Sequence, residues 1–397
     1  MPNTWYIDSG SGTDTGQPAD GNTWETALKT IKYAVNTVGT SSANNAAIFI
    51  VSASAPYHTS EINPKADNIV VKSKAGERAS LDGGLYDASG YESDECIDLG
   101  GNSYSGSYWE NLDFVNWKHT DGGYVISAGG TTQRGAMFSL SGCNIFNNVK
   151  EAIKTISGGV GHVVGSYEEA GDTALSGYAV IKDCRIFNNA LHGAGDSRPL
   201  TINGAYVQLI NTVIAAGEIA QGELVANGHF HNWTTASFCT FVSTGSEIGG
   251  SGDDFIQIGR VINCVASCSF ELAGYGEVNV FSTTVSATYC AAALPDWQAG
   301  SAPVVQIDYG RDESSSFDNA GNIAKLTASL NVFKFVDPDN WDFNLQRDSP
   351  LLGAGIGLAG ISTDASGTIR PKGGCSADNS DIGAYELAYE WTEYMSG

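Results

Sequence analysis

Ser141-Gly142-Cys143-Asn144-Ile145-Phe146-Asn147-Asn148 and Lys182-Asp183-Cys184-Arg185-Ile186-Phe187-Asn188-Asn189 are one phrase written twice. Looser copies occur at 210–214, 238–242 and 262–266, with an earlier one at 111–116. Aligning Leu112, Cys143, Cys184, Asn211, Cys239 and Cys264 gives steps of 31, 41, 27, 28 and 25 residues. Each copy is too short for a helix and alternates apolar with polar or small residues, the period of a strand with one face inward. One such unit cannot bury its face, whereas a stack can. The steps therefore read as coils of a solenoid, the longer ones carrying loop insertions.

Irregular spacing disfavours a propeller or a leucine-rich horseshoe and leaves an all-β, right-handed parallel β-helix as the expected fold. The pairs Asn147-Asn148 and Asn188-Asn189 are expected at its corners, where left-handed backbone and side-chain hydrogen bonds are wanted. Both ends of a stack expose core and need covers. Near the start, Asn22 and Glu25 read as a capping box, followed by Ala27, Ile31, Ala34, Val35 and Val38 at helical spacing: a short amphipathic lid. Near the end, Leu387, Trp391 and Met395 with Tyr389 and Tyr394 form an aromatic tail, expected over the last coil or against a neighbouring subunit. A single domain over 1–397 follows: loop and helical cap at 1–45, coils at 46–335, final coil and C-terminal cap at 336–397.

Forty-nine glycines and only 16% charged residues suit many tight turns. Lys and Arg number 20 against 44 Asp and Glu, a net charge of −24, so the mean field repels nucleic acid and anionic membranes. It also opposes polyanionic glycans unless cations such as Ca²⁺ bridge the charges. Met1 to Gly10 hold no basic stretch followed by an apolar run, and no segment approaches the ~18 apolar residues of a membrane span. No export signal is therefore read in the chain; a virion or extracellular surface is the expected location. Of the eight cysteines, Cys143, Cys184, Cys239 and Cys264 occupy like places in strand-like runs. Reduced core thiols are the expected state, with a disulfide and a metal site as the alternatives.

The opening resembles the N-terminal signature of parallel β-helix proteins of the pectate-lyase-like superfamily: Tyr6-Ile7-Asp8, then Gly10, Gly12, Asp14 and Gly16, then Trp24-Glu25-Thr26-Ala27-Leu28-Lys29-Thr30-Ile31. The close is similar to that superfamily's final coil, in Asp342-Phe343-Asn344-Leu345, Ser349-Pro350-Leu351-Leu352-Gly353-Ala354-Gly355, Arg370-Pro371 and Asp381-Ile382-Gly383-Ala384-Tyr385-Glu386. The resemblance implies the fold; the superfamily includes lyases, hydrolases, adhesins and phage tail spikes, so it does not select an activity.

Candidate chemistry is sparse. Gly252-Asp253-Asp254-Phe255-Ile256-Gln257-Ile258 is similar to a run of the polygalacturonase family, where Asp253 and Asp254 would be acid and base, yet no Gly-His-Gly or Arg-Ile-Lys follows. His229 and His231, two apart on a strand, would need a carboxylate to hold a metal. Lys118-His119 beside Asp121, and His192 with Asp196 and Arg198, are the loops that could supply a lyase base. Glu168, Glu169 and Asp172 are the candidate Ca²⁺ ligands, with no other cofactor expected. Tyr104, Tyr108, Trp109 and Trp117 are the candidate glycan-stacking aromatics. Gly10, Gly12 and Gly16 lack the preceding strand and following lysine of a phosphate loop and read as a turn-rich loop. The expected function is a noncatalytic surface structural protein, a phage capsid decoration or fibre component, assembled as a homotrimer with other virion or surface proteins. The competing functions are a polysaccharide lyase or hydrolase, and a glycan-binding adhesin.

Overall fold

The computed structural model describes residues 3–14, 21–38, 47–58, 62–64, 68–84, 96–98, 106–117, 125–127, 137–148, 153–155, 178–189, 200–202, 206–216, 225–227, 234–243, 254–268, 279–282, 286–294, 306–307, 315–316, 323–326, 331–370 and 380–387. Three sheets of ten, ten and nine strands run side by side, and successive coils add strands to them in chain order. Within these three sheets the strands pair in parallel, apart from the closing antiparallel pair Gln306–Ile307 with Ser315–Ser316. The chain is a parallel β-helix, as the repeats require.

The alternation in the sequence decides which way each side chain points. In the first sheet Phe49, Val71, Trp109, Leu140, Ile181 and Leu209 fall in one register column and are buried in the interior. At the corner between the first and second sheets, Asn111, Gly142, Asp183, Asn211 and Asn263 all have positive φ, from 48° to 64°. Asparagine, aspartate and glycine tolerate this left-handed backbone, which turns the chain within one residue. The corner after the second sheet is the asparagine site: Asn147 and Asn188 are left-handed, and Asn148 and Asn189 point inward and are buried. Asn148 Oδ1 accepts from Trp117 N (2.9 Å), its Nδ2 donates to Phe114 O (3.1 Å), and Asn189 Oδ1 accepts from Asn148 N (3.1 Å). Each buried amide thus satisfies backbone groups that a sharp corner would strand.

One equivalence shifts by a residue. Strand register places Thr212, not Asn211, in the column of Cys184 and Cys239. Thr212 Oγ1 donates to Ile210 O (2.9 Å), as Cys184 Sγ does to Lys182 O (3.1 Å), so the hydroxyl stands where the thiol would.

The lid also begins later than its apolar spacing suggests. Thr23, not Asn22, opens a single 3₁₀ turn at Trp24–Thr26. Leu28 is held by an extended bridge to Ile7, so the helix starts only at Ile31–Tyr33, where Thr30 Oγ1 accepts from Tyr33 N (3.2 Å). It continues as a wider π turn, Ala34–Val38, with Ile31, Ala34 and Val35 buried against the first coil. The preceding glycine loop has a steric reason: a Cβ at Gly12 would lie 2.3 Å from Leu28 O.

The larger departure is at the other end. Residues 331–370 and 380–387 add no coil; they run back over the outer face of the second sheet as a strap. The hairpin Phe335–Asp337 with Asp342–Leu345, together with Leu351, Ile382, Ala384 and Tyr385, covers Val213, Ala215, Val242, Val265, Ala291 and Ala293. The physical reason is in those strands. Val213–Ala216 and Ala291–Leu294 put apolar residues on both faces, and a second apolar face needs a second cover. Corner asparagines stitch the strap down: Asn211 Nδ2 donates to Thr363 O, and Asn263 Nδ2 to Ile356 O, each at 2.7 Å. Leu387 ends the described strap, its N–H donating to Asp381 (2.8 Å); Tyr389, Trp391, Tyr394 and Met395 lie outside the described residues.

Candidate glycan-contact face

The second sheet is roofed by the strap; among the described residues no comparable cover lies over the first. Its outward columns are Thr4, Ile48, Val70, Tyr108, Ser139, Val180, Gln208, Thr235 and Arg260 in one, and Tyr6, Ile50, Lys72, Glu110, Ser141, Lys182, Ile210, Ser237, Ile262 and Thr288 in the other. All are half-buried or exposed. Alternation puts them there, because each sits between two residues committed to the interior.

Among the described residues of this face, Lys72, Lys182 and Arg260 stand against a single carboxylate, Glu110, although the whole chain carries −24. They lie on the third, sixth and ninth strands of the sheet. With strands about 4.8 Å apart, the cations recur roughly every 14 Å along the stack. Lys182 makes a loose contact with Asp183 at 3.7 Å; Lys72 and Arg260 have no acidic partner among the described residues. At the N-terminal end Tyr6 packs against Trp24 (centroids 4.8 Å apart), and Lys74 Nζ lies 5.2 Å over the Trp24 ring. A flat face with half-exposed aromatics at one end, hydroxyls, and widely spaced cations can take a linear chain of hydrogen-bonding rings lying along the axis.

Of the three singled-out aromatics that lie among the described residues, only Tyr108 is on this face. Trp109, its neighbour in the strand, faces inward with no exposed surface, Nε1 donating to Ser107 Oγ (2.6 Å). Trp117 is buried as well, Nε1 donating to Leu81 O (3.4 Å), so neither indole is offered to a ligand. Both belong to the core because alternation and the corner, not aromatic density, set direction. Asp254 heads the third-sheet strand Asp254–Gln257, with Ile256 and Ile258 buried behind it. Tyr104, Lys118, His119, Asp121, Glu168, Glu169, Asp172, His192, Asp196, Arg198, His229, His231 and Asp253 lie outside the described residues. Among the described residues no three His, Cys, Asp or Glu side chains gather as metal ligands, and no helix is long and apolar enough to cross a membrane.

A second polar group went unread in the sequence. Arg370 belongs to the strap and is buried on its inner side, donating to Glu386 Oε2 and to Asn211 Oδ1 (3.2 Å), with its guanidinium 3.9 Å over the Phe238 ring. Glu386 Oε1 accepts from Asp381 N (3.0 Å), and Asp364 Oδ2 from Glu386 N (2.8 Å). Burial pushes Glu386 up to about 7 and also raises Asp381, while it lowers Arg370; desolvation outweighs pairing on both sides. Phe238 itself is left-handed (φ 54°), a costly state for a bulky residue, which places its ring beneath the arginine. The signal was present: charged residues flanking the apolar run Ile382-Gly383-Ala384-Tyr385. This network fastens the strap and faces no solvent.

No family model matches the chain. No curated protein matches it either. Among solved structures, a rhamnogalacturonan lyase aligns over 81% of this chain and 87% of its own at 10% identity and a TM-score of 0.36. Strand register defines the fold.

Proposed function

We propose that this protein is a rigid surface scaffold that binds, without cutting, a linear glycan along the open face of its first sheet. The observation that supports the reading is the recurrence of Lys72, Lys182 and Arg260, in a strongly acidic chain, on every third strand of a face over which the described residues lay no strap. Spaced this way, the cations suit a glycan with acidic groups at intervals, which the mean field elsewhere on the molecule would repel. The setting proposed is a particle or cell surface, as a phage capsid decoration or fibre component in homotrimeric form. A charge of −24 keeps crowded copies soluble.

The test is titration of the full chain with neutral and acidic linear oligosaccharides, with and without Ca²⁺, product mass being followed in the same samples. The expected result is salt-sensitive binding of the acidic chains with no shortened products, and at least a tenfold weaker affinity for the combined variant Lys72→Glu, Lys182→Glu, Arg260→Glu. Release of shorter oligosaccharides would overturn the noncatalytic reading and point to Asp253, Asp254 and the histidine loops. Unchanged affinity in the triple variant would remove this face from consideration. Light scattering on the same sample reads the trimer directly.

A further inference from the structure

Cys143, Cys184, Cys239, Cys264 and Cys290 stand one above another at the entry to successive strands of the second sheet, with Thr212 filling the single gap. All five are fully buried, and none is in a disulfide. The backbones are tied at each step: Arg185 N donates to Cys143 O and Val265 N to Cys239 O, both at 2.9 Å, and Ala291 N to Cys264 O at 2.8 Å. Parallel strands lie ~4.8 Å apart, inside the ~4.4–6.8 Å Cα separation that a disulfide spans. The sulfurs are neighbours as well: Cys143 with Cys184, and Cys264 with both Cys239 and Cys290. Cys184 and Cys239, two strands apart across Thr212, are out of reach at ~9.6 Å.

We propose that this column is a modification site that a small disulfide oxidant closes into two inter-coil bridges, Cys143 to Cys184 and Cys264 to one of Cys239 or Cys290. With oxidised glutathione as the oxidant, one protein thiolate attacks a glutathione sulfur, forming a mixed disulfide and releasing a first glutathione thiolate. The neighbouring protein thiolate then attacks the protein-side sulfur and releases the second. Each bridge takes two electrons and two protons from the pair and leaves two reduced glutathiones. The triplet is odd, so it makes one bridge and leaves one thiol. Burial raises the Cys184 and Cys264 thiols and closes them to solvent, which assigns the reaction to folding, while successive coils are still being laid down.

The experiment is refolding of the full chain in a glutathione redox buffer and, in parallel, in strong reductant. Unfolding in alkylating agent and peptide mapping follow. The expected result is a loss of two hydrogens per bridge, linked peptides 143–184 and either 239–264 or 264–290, and a melting temperature above that of the reduced protein. Thr212→Cys completes the column and raises the count from two bridges to three, pairing 143–184, 212–239 and 264–290. Cys143→Ser removes the first bridge and keeps the second. Five alkylated ladder thiols in oxidatively refolded, cooperatively melting wild-type protein would overturn the proposal, as would bridges that join ladder positions two strands apart.

Discussion

Coils between residues 206 and 293 show two outer faces made by the same repeat. On the first sheet the outward residues are Gln208, Ile210, Thr235, Ser237, Arg260 and Ile262, mixed in character and open to solvent. On the second they are Val213, Thr240, Val265 and Ala291 in one column and Ala215, Val242, Ser267 and Ala293 in the other, small, mostly apolar and buried. Earlier strands of that same second sheet, beyond the strap, return to mixed chemistry, as at Asp113 and Asn144, and Arg185 at the strap's edge donates to Trp341 O. The inward columns specify the β-helix and look alike everywhere. The outward columns record what lies over each face, so they carry the information about contacts.

The strongest way to break this comparison is to unfasten the strap. Arg370→Ala leaves Glu386, Asp381 and Asp364 buried without their cation and should cost about 3–5 kcal/mol. Proteolysis at 331–370 ahead of global melting would show it; unchanged protection would mean that the apolar contacts alone hold the strap. Next in size is a matched pair on the two faces of one coil pair. Ala215→Asp places a charge under the strap and should destabilise by roughly 3 kcal/mol, whereas Thr235→Asp on the open face should stay within about 0.5 kcal/mol. Equal losses in denaturant melts would mean that the two faces do not differ in cover.

A smaller effect sharpens it. Glu386 has a folded value near 7 against an ordinary 4.5, so its contribution is complete below pH 4.5 and is lost as the pH rises through about 7. The charged groups that act on its carboxyl are Arg370 and Asp381, both carried by the strap, so this titration reads the strap. Melting temperature should therefore carry a downward slope across that window which Glu386→Gln removes. A variant with an unchanged slope would assign the titration elsewhere.

Much of the fold was legible because stacking forces repetition: the cysteine column, the asparagine corners and the coil steps all follow from it. Asn211 was aligned one place early because threonine replaced cysteine in the column, keeping the size and the hydrogen bond but not the letter. The strap was missed although Val213–Ala216 fails to alternate, which marks a strand with two covered faces. Trp109 and Trp117 were read by composition when strand parity and the corner decided their direction. The open face was invisible to local motifs, since its cations lie 110 and 78 residues apart in the chain and meet only through register.

A solenoid held only by neighbour-to-neighbour contacts can lose coils singly from its ends. The strap touches coils from Arg185 to Ala293 at once, through Trp341 O, Thr363 O, Ile356 O and the N–H of Ala384. It acts as a splint laid across the stack, making those coils open together or not at all and leaving fraying to the coils beyond its reach.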